Sequence, residues 1–240
     1  MDTTPSPATP AERRWGPLDS IQRRVLGVLI EKAKTTPAGY PMSVNAIVTG
    51  CNQKNNREPL MTLDDIEVER GLDGLRTAGA VSEIDWMGRV SKYKHHAYEW
   101  LGVSRAELAV MAELLLRGAQ AMGDLRGRAA RMEPIEDLAA LKPIVAGLVE
   151  RGLMIELTPV GRGQIVSHNL YLGPELEQLR SGQGGLPARS AESYVAAEPA
   201  LRAAVPSPDA VTAMRAELTA LREEVARLGE RVSALESKPS

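Results

Sequence analysis

The sequence predicts a mainly helical α+β protein with two tandem winged-helix domains, a disordered linker and a C-terminal coiled-coil helix. The first observation is an internal repeat, because residues 68–81 and 141–154 carry matching apolar residues and glycines 73 positions apart. The second is a short hairpin pattern after each copy, with Gly-Arg at both turns. The third is a heptad repeat near the C-terminus. These patterns divide the chain into five segments.

The N-terminal residues 1–17 are predicted to form a disordered tail. They are rich in Pro, Thr and Ala and lack the apolar core of a signal peptide. No run in the chain approaches the roughly 20 apolar residues that a membrane span needs. Cys51 is the single cysteine, which excludes an intrachain disulfide and a thiolate-rich metal site. We therefore expect a cytoplasmic protein with no membrane contact.

Residues 18–100 are predicted to form the first winged-helix domain. Apolar residues at helical spacing follow the N-cap candidate Asp19, and Ser43 precedes a second helix. The third helix covers the first copy of the repeat and ends at Gly79, since glycine favours helix C-termini. A hairpin with its turn at Gly88 and Arg89 completes this domain.

Residues 101–173 are predicted to form the second winged-helix domain, with the N-cap candidate Ser104 and a hairpin turn at Gly161 and Arg162. The first helices of the two copies lie about 86 positions apart, so the first copy has roughly a dozen extra residues. They lie in residues 35–41 and in a polar loop, residues 52–59. The order helix, helix, helix, hairpin is that of a winged helix.

The last two segments differ from the two predicted domains in composition and periodicity. Residues 174–210 are rich in Pro, Gly and Ala and show no helical or strand period, which predicts a flexible linker. Residues 211–236 follow a heptad pattern with valine at three of the four a positions and leucine at three of the four d positions, which favours a parallel two-stranded coiled coil and hence a homodimer. The alternative is a lone amphipathic helix that docks on the domains. The predicted dimerisation residues are Val211, Met214, Leu218, Leu221, Val225, Leu228, Val232 and Leu235.

Charge argues against a DNA-reading third helix. Residues 18–173 hold 19 Lys and Arg against 19 Asp and Glu, whereas a dedicated DNA-binding domain is usually basic. The predicted third helix of the first copy is acidic, and acids at the start of a helix also favour the positive end of its dipole. These helices are therefore predicted to serve stability or contact with protein.

Basic residues concentrate between residues 117 and 131, in the wings and in the loop 52–59. On a helix, Arg128 and Arg131 share a face. Wing arginines can enter a minor groove and loop lysines can hold phosphate, but solvated surface charge is the alternative. The loop 52–59 has a second alternative, in which its side chains tie the two domains together. The candidate contacts with nucleic acid or a protein partner are Lys54, Arg57, Arg89, Lys92, Arg117, Arg126, Arg128, Arg131 and Arg162.

Catalytic and metal-binding motifs are absent from the sequence. The three histidines, His95, His96 and His168, have no metal-ligand spacing, and no phosphate-cradling or nucleophile-elbow motif occurs. Cys51 has no histidine nearby in sequence and is predicted to be a small core residue. We predict no enzyme activity, no cofactor and no metal.

Several longer motifs resemble the YceH family of uncharacterised bacterial proteins. They are Tyr-Pro-Met-Ser-Val-Asn at residues 40–45 and the segments at 51–59, 114–120 and 125–132. The resemblance covers about residues 18–172 and implies tandem winged helices with no established activity. The N-terminal tail, the linker and the heptad segment lie outside it.

Two functions fit these observations. The first is a dimeric protein that associates with double-stranded DNA and regulates transcription through the arginines between residues 117 and 131 and the wings. The alternative is a protein-interaction adaptor that resembles the chromosome-segregation ScpB family and makes no direct DNA contact. The local arginines favour the first and the neutral net charge favours the second. The sequence prediction is DNA association.

Overall fold

A computed structural model describes residues 14–84 and 90–181, which form a mainly helical fold with small antiparallel sheets. The described residues contain eight α-helices and two sheets, and they all fall in one compact unit. The predicted α+β class is confirmed. Among these residues, no helix has both the length and the apolar character needed to cross a membrane.

Each half of the described chain contains three helices followed by a two-stranded hairpin. The first half contains α1 (Ser20–Thr35), a 3-10 turn (Pro37–Gly39), α2 (Val44–Cys51), α3 (Asp65–Thr77), β1 (Val81–Ile84) and β2 (Lys92–His95). A short helix, α4 (Ala97–Leu101), joins the halves. The second half contains α5 (Arg105–Arg117), β3 (Gln120–Ala121), α6 (Met122–Ala129), α7 (Leu138–Glu150), β4 (Met154–Glu156), β5 (Ile165–His168) and α8 (Gly173–Arg180).

The element positions confirm the 73-residue repeat. Helices α3 and α7, strands β1 and β4, and strands β2 and β5 each begin 73 positions apart. Helices α2 and α6 begin 78 positions apart, and α1 and α5 begin 85 apart. The first half therefore has 85 − 78 = 7 extra residues before α2 and 78 − 73 = 5 extra before α3. These are the two places that the sequence predicted.

Strand pairing follows the repeat as well. In the second sheet β5 is central, with β3 and β4 antiparallel on its two sides and Gln120 opposite Val166. In the first sheet β1 pairs with β2, and Met42 forms an isolated antiparallel bridge to Tyr93. Met42 precedes α2 as Gln120 precedes α6, so both halves place the same segment beside their last strand.

The predicted helix starts at Asp19, Ser43 and Ser104 are confirmed. In each case a side-chain oxygen accepts a hydrogen bond from a backbone N–H of the first turn, which would otherwise have no partner. Asp64 caps α3 in the same way, with its Oδ1 2.8 Å from the N–H of Glu67. Some of the acidic residues of α3 therefore serve to cap its N-terminus and to interact with the positive end of its helix dipole.

The hydrophobic core is continuous through both halves because α1 packs directly on α5. Leu26 and Leu29 of α1 and Leu114 of α5 are fully buried in one cluster. Gly27 permits the close approach, since a Cβ at this position would lie 2.9 Å from Cγ of Leu116. The two repeats therefore share apolar surface and do not form separate cores.

Replacing Gly27 with alanine is expected to lower the free energy of unfolding by about 1–2 kcal/mol. Overpacking costs about 1–3 kcal/mol, and the better helix propensity of alanine returns about 0.5–1 kcal/mol. Urea unfolding followed by circular dichroism measures the change. Gly127→Ala in α6 is the matched control, because no atom lies within 4 Å of its added Cβ. That control is expected to be stabilising, and equal losses in both variants would contradict the packing argument.

The structure differs from the sequence prediction at two segment boundaries. Trp15 lies within the predicted tail 1–17, yet it is buried against the core. Residues 174–180 lie within the predicted linker, yet they belong to α8, which has a proline in its first turn, where a missing N–H costs nothing. The predicted linker beyond residue 181, the coiled-coil segment 211–236 and Arg89 lie outside the described residues.

Candidate functional site

Four of the predicted contact residues meet where the two halves join. We call Arg57, Arg117, Arg128 and Arg131 the arginine cluster. Arg57 comes from the loop 52–59, Arg117 from the end of α5, and the other two from α6 and the turn that follows it. The cluster surrounds two carboxylates, Glu31 of α1 and Glu113 of α5.

Arg57 forms a buried, two-pronged ion pair with Glu31. Its Nη2 lies 2.6 Å from Oε2 and its Nη1 lies 3.3 Å from Oε1 of that carboxylate. Its Nε donates to the carbonyl of Gly50 at 2.9 Å, and Nη2 also donates to Gln53. Because the Arg57 side chain is fully buried, it does not reach a surface where nucleic acid could contact it. The prediction of a surface contact at Arg57 does not fit this position.

Glu113 is the second buried carboxylate of the cluster. Its Oε2 accepts a hydrogen bond from Nη2 of Arg131 at 3.3 Å. Its Oε1 lies 3.2 Å from Nε of Arg117, although the two atoms are not aligned as a hydrogen bond. Burial raises the pKa of Glu113, and the charges of Arg117, Arg131 and Arg128 oppose this effect. Nη2 of Arg131 also lies 4.0 Å from Glu31, so this arginine links the two carboxylates.

The loop 52–59 is fixed to both α1 and α5. The N–H of Glu58 donates to the carbonyl of Leu116 at 3.0 Å. Oδ1 of Asn56, a residue with a φ of 60°, accepts from Nη2 of Arg117 at 3.0 Å. The fully buried Arg24 of α1 donates to the carbonyls of Cys51 and Pro59 at 2.9 Å and 2.6 Å. This geometry agrees with the alternative in which the loop ties the two halves together.

The remaining arginines of α6 face different partners. Nη1 of Arg128 donates to Oε1 of Gln120 at 2.6 Å, and its Nη2 lies 4.0 Å from Asp124. Arg126 donates to the backbone carbonyl of Glu136 at 3.2 Å. The prediction that Arg128 and Arg131 share a helix face rests on both lying in a helix, but α6 ends at Ala129 and Arg131 follows it. Nε of Arg131 donates to the backbone carbonyl of Arg128 at 3.1 Å.

Three other predicted contact residues are not members of the arginine cluster. Lys54 is exposed in the loop 52–59, and Lys92 is half-buried in β2. Arg162 is exposed in the turn between β4 and β5, between two glycines with positive φ.

The outward face of α3 is acidic and partly apolar. Ile66 is 58% exposed, and Leu60 just before the helix is 64% exposed. Asp65, Glu69 and Asp73 are exposed on the same helix. A polar groove of about 600 Å³ lies at the C-terminal end of the helix. Its lining residues are Asp73, Arg76, Thr77, Val81, Ser82 and Glu83.

The outward face of α7 is mostly small and apolar. Leu138, Ala139, Pro143 and Ala146 are exposed there, with Lys142 as the exposed basic residue of that helix. Neither α3 nor α7 therefore presents the basic face that a DNA-reading helix needs.

A repeated histidine-tyrosine pair is a feature that the sequence reasoning missed. His95 and His168 end the equivalent strands β2 and β5, and each accepts a hydrogen bond at Nδ1 from the N–H two residues later, at 3.2 Å. Tyr98 and Tyr171 follow at the same spacing, with the ring of Tyr171 stacked on His168 at 3.9 Å. The sequence contains this signal as a His-x-x-Tyr motif, which occurs in both copies of the repeat, 73 positions apart.

The buried titratable groups of this fold suit structural roles. Burial lowers the pKa of His95 to about 4 and that of His168 well below its usual value. Burial also raises the pKa of the Cys51 thiol to about 12, and the predicted core position of Cys51 is confirmed. Within residues 14–84 and 90–181, no three His, Cys, Asp or Glu side chains converge as metal ligands.

The fold defines a class of duplicated α+β proteins whose halves share one hydrophobic core, with the arginine cluster at their junction. The chain belongs to the family described as "Protein of unknown function, DUF480", whose model matches residues 18–161. The prediction of an uncharacterised bacterial family is thereby confirmed.

Similar proteins from bacteria carry the name UPF0502 protein. One from Rhodopirellula baltica is 54% identical over 159 residues, which cover 66% of this chain and 67% of that protein. One from Geobacter sulfurreducens is 49% identical over 134 residues, which cover 56% of this chain and 61% of that protein. A third from Geotalea uraniireducens is 41% identical over 195 residues, which cover 80% of each chain. The Geobacter match thus spans less than two thirds of its relative.

Proposed function

We propose that this protein consists of two tandem winged-helix domains and acts as a protein-interaction adaptor. The winged-helix assignment is supported by the order helix, helix, helix, hairpin in both halves. The adaptor assignment is carried by one observation, the acidic and partly apolar outward face of α3.

The chemistry of this face suits a basic, amphipathic segment of a partner protein. Exposed apolar side chains are common singly, but Leu60 and Ile66 lie close together in sequence beside exposed carboxylates. Glu69 and Asp73 repel a phosphate backbone and attract lysine or arginine. Helix α3 also exposes two arginines. Arg76 is already paired, with Asp73 and Glu83 both 3.2 Å away, and the remaining Arg70 leaves the exposed carboxylates of the helix in excess. The face therefore favours a protein over a nucleic acid.

The internal pairing of the arginines supports the same choice. Arg57 and Arg131 donate hydrogen bonds to Glu31 and Glu113 inside the protein. Guanidinium groups held by buried carboxylates contribute less to an external phosphate contact than free surface arginines do. Two of the arginines that favoured DNA in the sequence, Arg57 and Arg131, thus have structural roles.

Site-specific crosslinking tests the adaptor proposal. A photoreactive residue in place of Ile66 is expected to yield a discrete crosslinked protein in cells, identified by mass spectrometry. The double substitution Glu69→Lys, Asp73→Lys should remove the product, because it reverses the charge that attracts a basic partner. The matched control places the same photoreactive residue at Gln178, which is exposed on α8. Equal products from both positions, or none from position 66, would overturn the proposal.

DNA association in a regulatory role is the second candidate, and the exposed Arg162 favours it. A glycine-flanked wing arginine is suited to a narrow minor groove. A salt titration with labelled duplex separates the two candidates. A DNA-binding protein with about five phosphate contacts should lose affinity with a log-log slope near −4 to −5. The adaptor proposal expects weak binding that Arg162→Ala does not change.

A further inference from the structure

We propose that the outer side of the arginine cluster binds a single phosphate group, between Arg117 and Arg128. This inference goes beyond the adaptor proposal and does not rest on it. It follows from a comparison of hydrogen-bond partners. Arg57 lies on the buried inner side of the cluster, and Arg117 and Arg128 lie on its solvent-exposed outer side.

On the inner side of the cluster, the positive and negative charges balance each other. Arg57 uses both of its Nη groups on Glu31 and donates its other protons to Gly50, Gln53 and the carbonyl of Asn56. A carboxylate that accepts two parallel hydrogen bonds from one guanidinium is the preferred partner of arginine. Arg57 and Glu31 therefore neutralise each other.

The outer side is not balanced in this way. Arg117 and Arg128 donate to neutral amide oxygens, Oδ1 of Asn56 and Oε1 of Gln120. The carboxylate beside Arg117 is Glu113, which is not aligned with it as a hydrogen bond and which accepts instead from Arg131. The carboxylate nearest to Arg128 is Asp124, 4.0 Å away. Both guanidinium groups thus lack a hydrogen-bonded anion.

The local charge is positive for the same reason. Four arginines of the cluster face two buried glutamates, an excess of two positive charges that half-exposed Asp124 reduces to one. Burial lowers the pKa of Arg117, and the charges of Arg128, Arg131 and Arg57 lower it further while Glu113 opposes them. An added anion would relieve this repulsion.

The cluster is open on the side where the anion would bind. The side chains of Arg117, Arg128 and Arg131 are 20%, 35% and 39% exposed, whereas Glu113 is fully buried. Solvent therefore reaches the cations but not the carboxylate between them. A tetrahedral oxyanion matches the planar donor fork of arginine, and Asp124 at the rim disfavours an extended polyanion such as DNA. The ligand class that fits is a small molecule with one phosphate group.

A titration with inorganic phosphate and with phenyl phosphate tests the site, using potassium chloride at matched ionic strength as the reference. The side-chain amide NMR signals of Asn56 and Gln120 report binding directly. Saturable shifts that chloride does not reproduce are expected, and the two phosphates distinguish a free from an esterified group. Arg128→Gln should weaken binding at least about tenfold, because a charge-assisted contact is lost.

Arg126→Gln is the matched control, since Arg126 lies on the same helix but donates to the backbone of Glu136. It should leave the affinity unchanged. If Arg128→Gln does not fold, Arg128→Lys keeps the charge and should still weaken binding, because lysine lacks the planar fork. Shifts that follow ionic strength alone, an equal loss in the control, or displacement of phosphate by duplex DNA would overturn the assignment.

Discussion

Replacing Arg57 with alanine is expected to lower the free energy of unfolding by about 3–5 kcal/mol, since removal of one partner leaves a buried charge uncompensated. Glu31 would keep its carboxylate in a site that is almost closed to water, with Arg131 at 4.0 Å as the remaining cation. The carbonyl of Gly50 would also lose its hydrogen bond from Nε. Urea unfolding at pH 7, followed by circular dichroism, measures the loss.

Two further variants separate the ion pair from other effects at Arg57. Arg126→Ala removes a partly exposed arginine and should change stability by less than about 0.5 kcal/mol. The double variant Arg57→Met, Glu31→Gln removes both charges and should recover most of the loss, because replacing both partners of a buried pair is often nearly neutral. If the double variant is as unstable as Arg57→Ala, the buried charge is not the cause.

The regular elements were predictable because their signals are local in the sequence. An N-cap such as Ser104, the apolar spacing behind it and a terminal glycine such as Gly79 all act within one helix. The repeat then made each half support the other, since a pattern that recurs 73 positions later is not accidental. The positions of both extra segments of the first half followed from comparing the spacing of matching residues in the two copies.

The roles of the charged residues were not predictable in the same way, because they depend on contacts between distant segments. Arg57 and Glu31 are 26 positions apart, and neither has a local pattern that marks it as buried. Glu113 did carry a sequence signal, because it interrupts a run of apolar residues in α5. In the structure, every face of this part of α5 is buried. A carboxylate in such a helix needs a cation, and the neighbouring arginines were the available ones.

Acidification from pH 6.5 to pH 5 is expected to destabilise the fold through His95 and His168. Burial lowers the pKa of both side chains, and repulsion from His96 and Lys34 adds to this effect at His95 while Glu99 opposes it. Geometry gives the same direction, because Nδ1 of each ring accepts a backbone N–H and would lose that hydrogen bond on protonation. Both histidines are therefore neutral in the folded protein at pH 7.

The sign of the effect follows from proton linkage. Between pH 6.5, the usual pKa of histidine, and the lower folded values, the unfolded chain binds more protons than the folded protein. The stability that each neutral histidine contributes is thus fully present above pH 6.5 and is lost as the pH falls. The slope approaches about 1.4 kcal/mol per pH unit for each histidine. His95 completes its loss near pH 4, whereas that of His168 continues to lower pH.

Substitution by glutamine identifies each contribution, since glutamine does not titrate. His95→Gln and His168→Gln should each reduce the slope of unfolding free energy against pH between 5 and 6.5, and the double variant should flatten it most. Above pH 7.5 the curves of all variants should run parallel to that of the natural chain, whatever the cost of the substitution itself, because histidine no longer titrates there. Parallel curves between pH 5 and 6.5 as well would show that neither ring resists protonation in the fold. In that case the repeated histidine would serve packing against Tyr98 and Tyr171 alone.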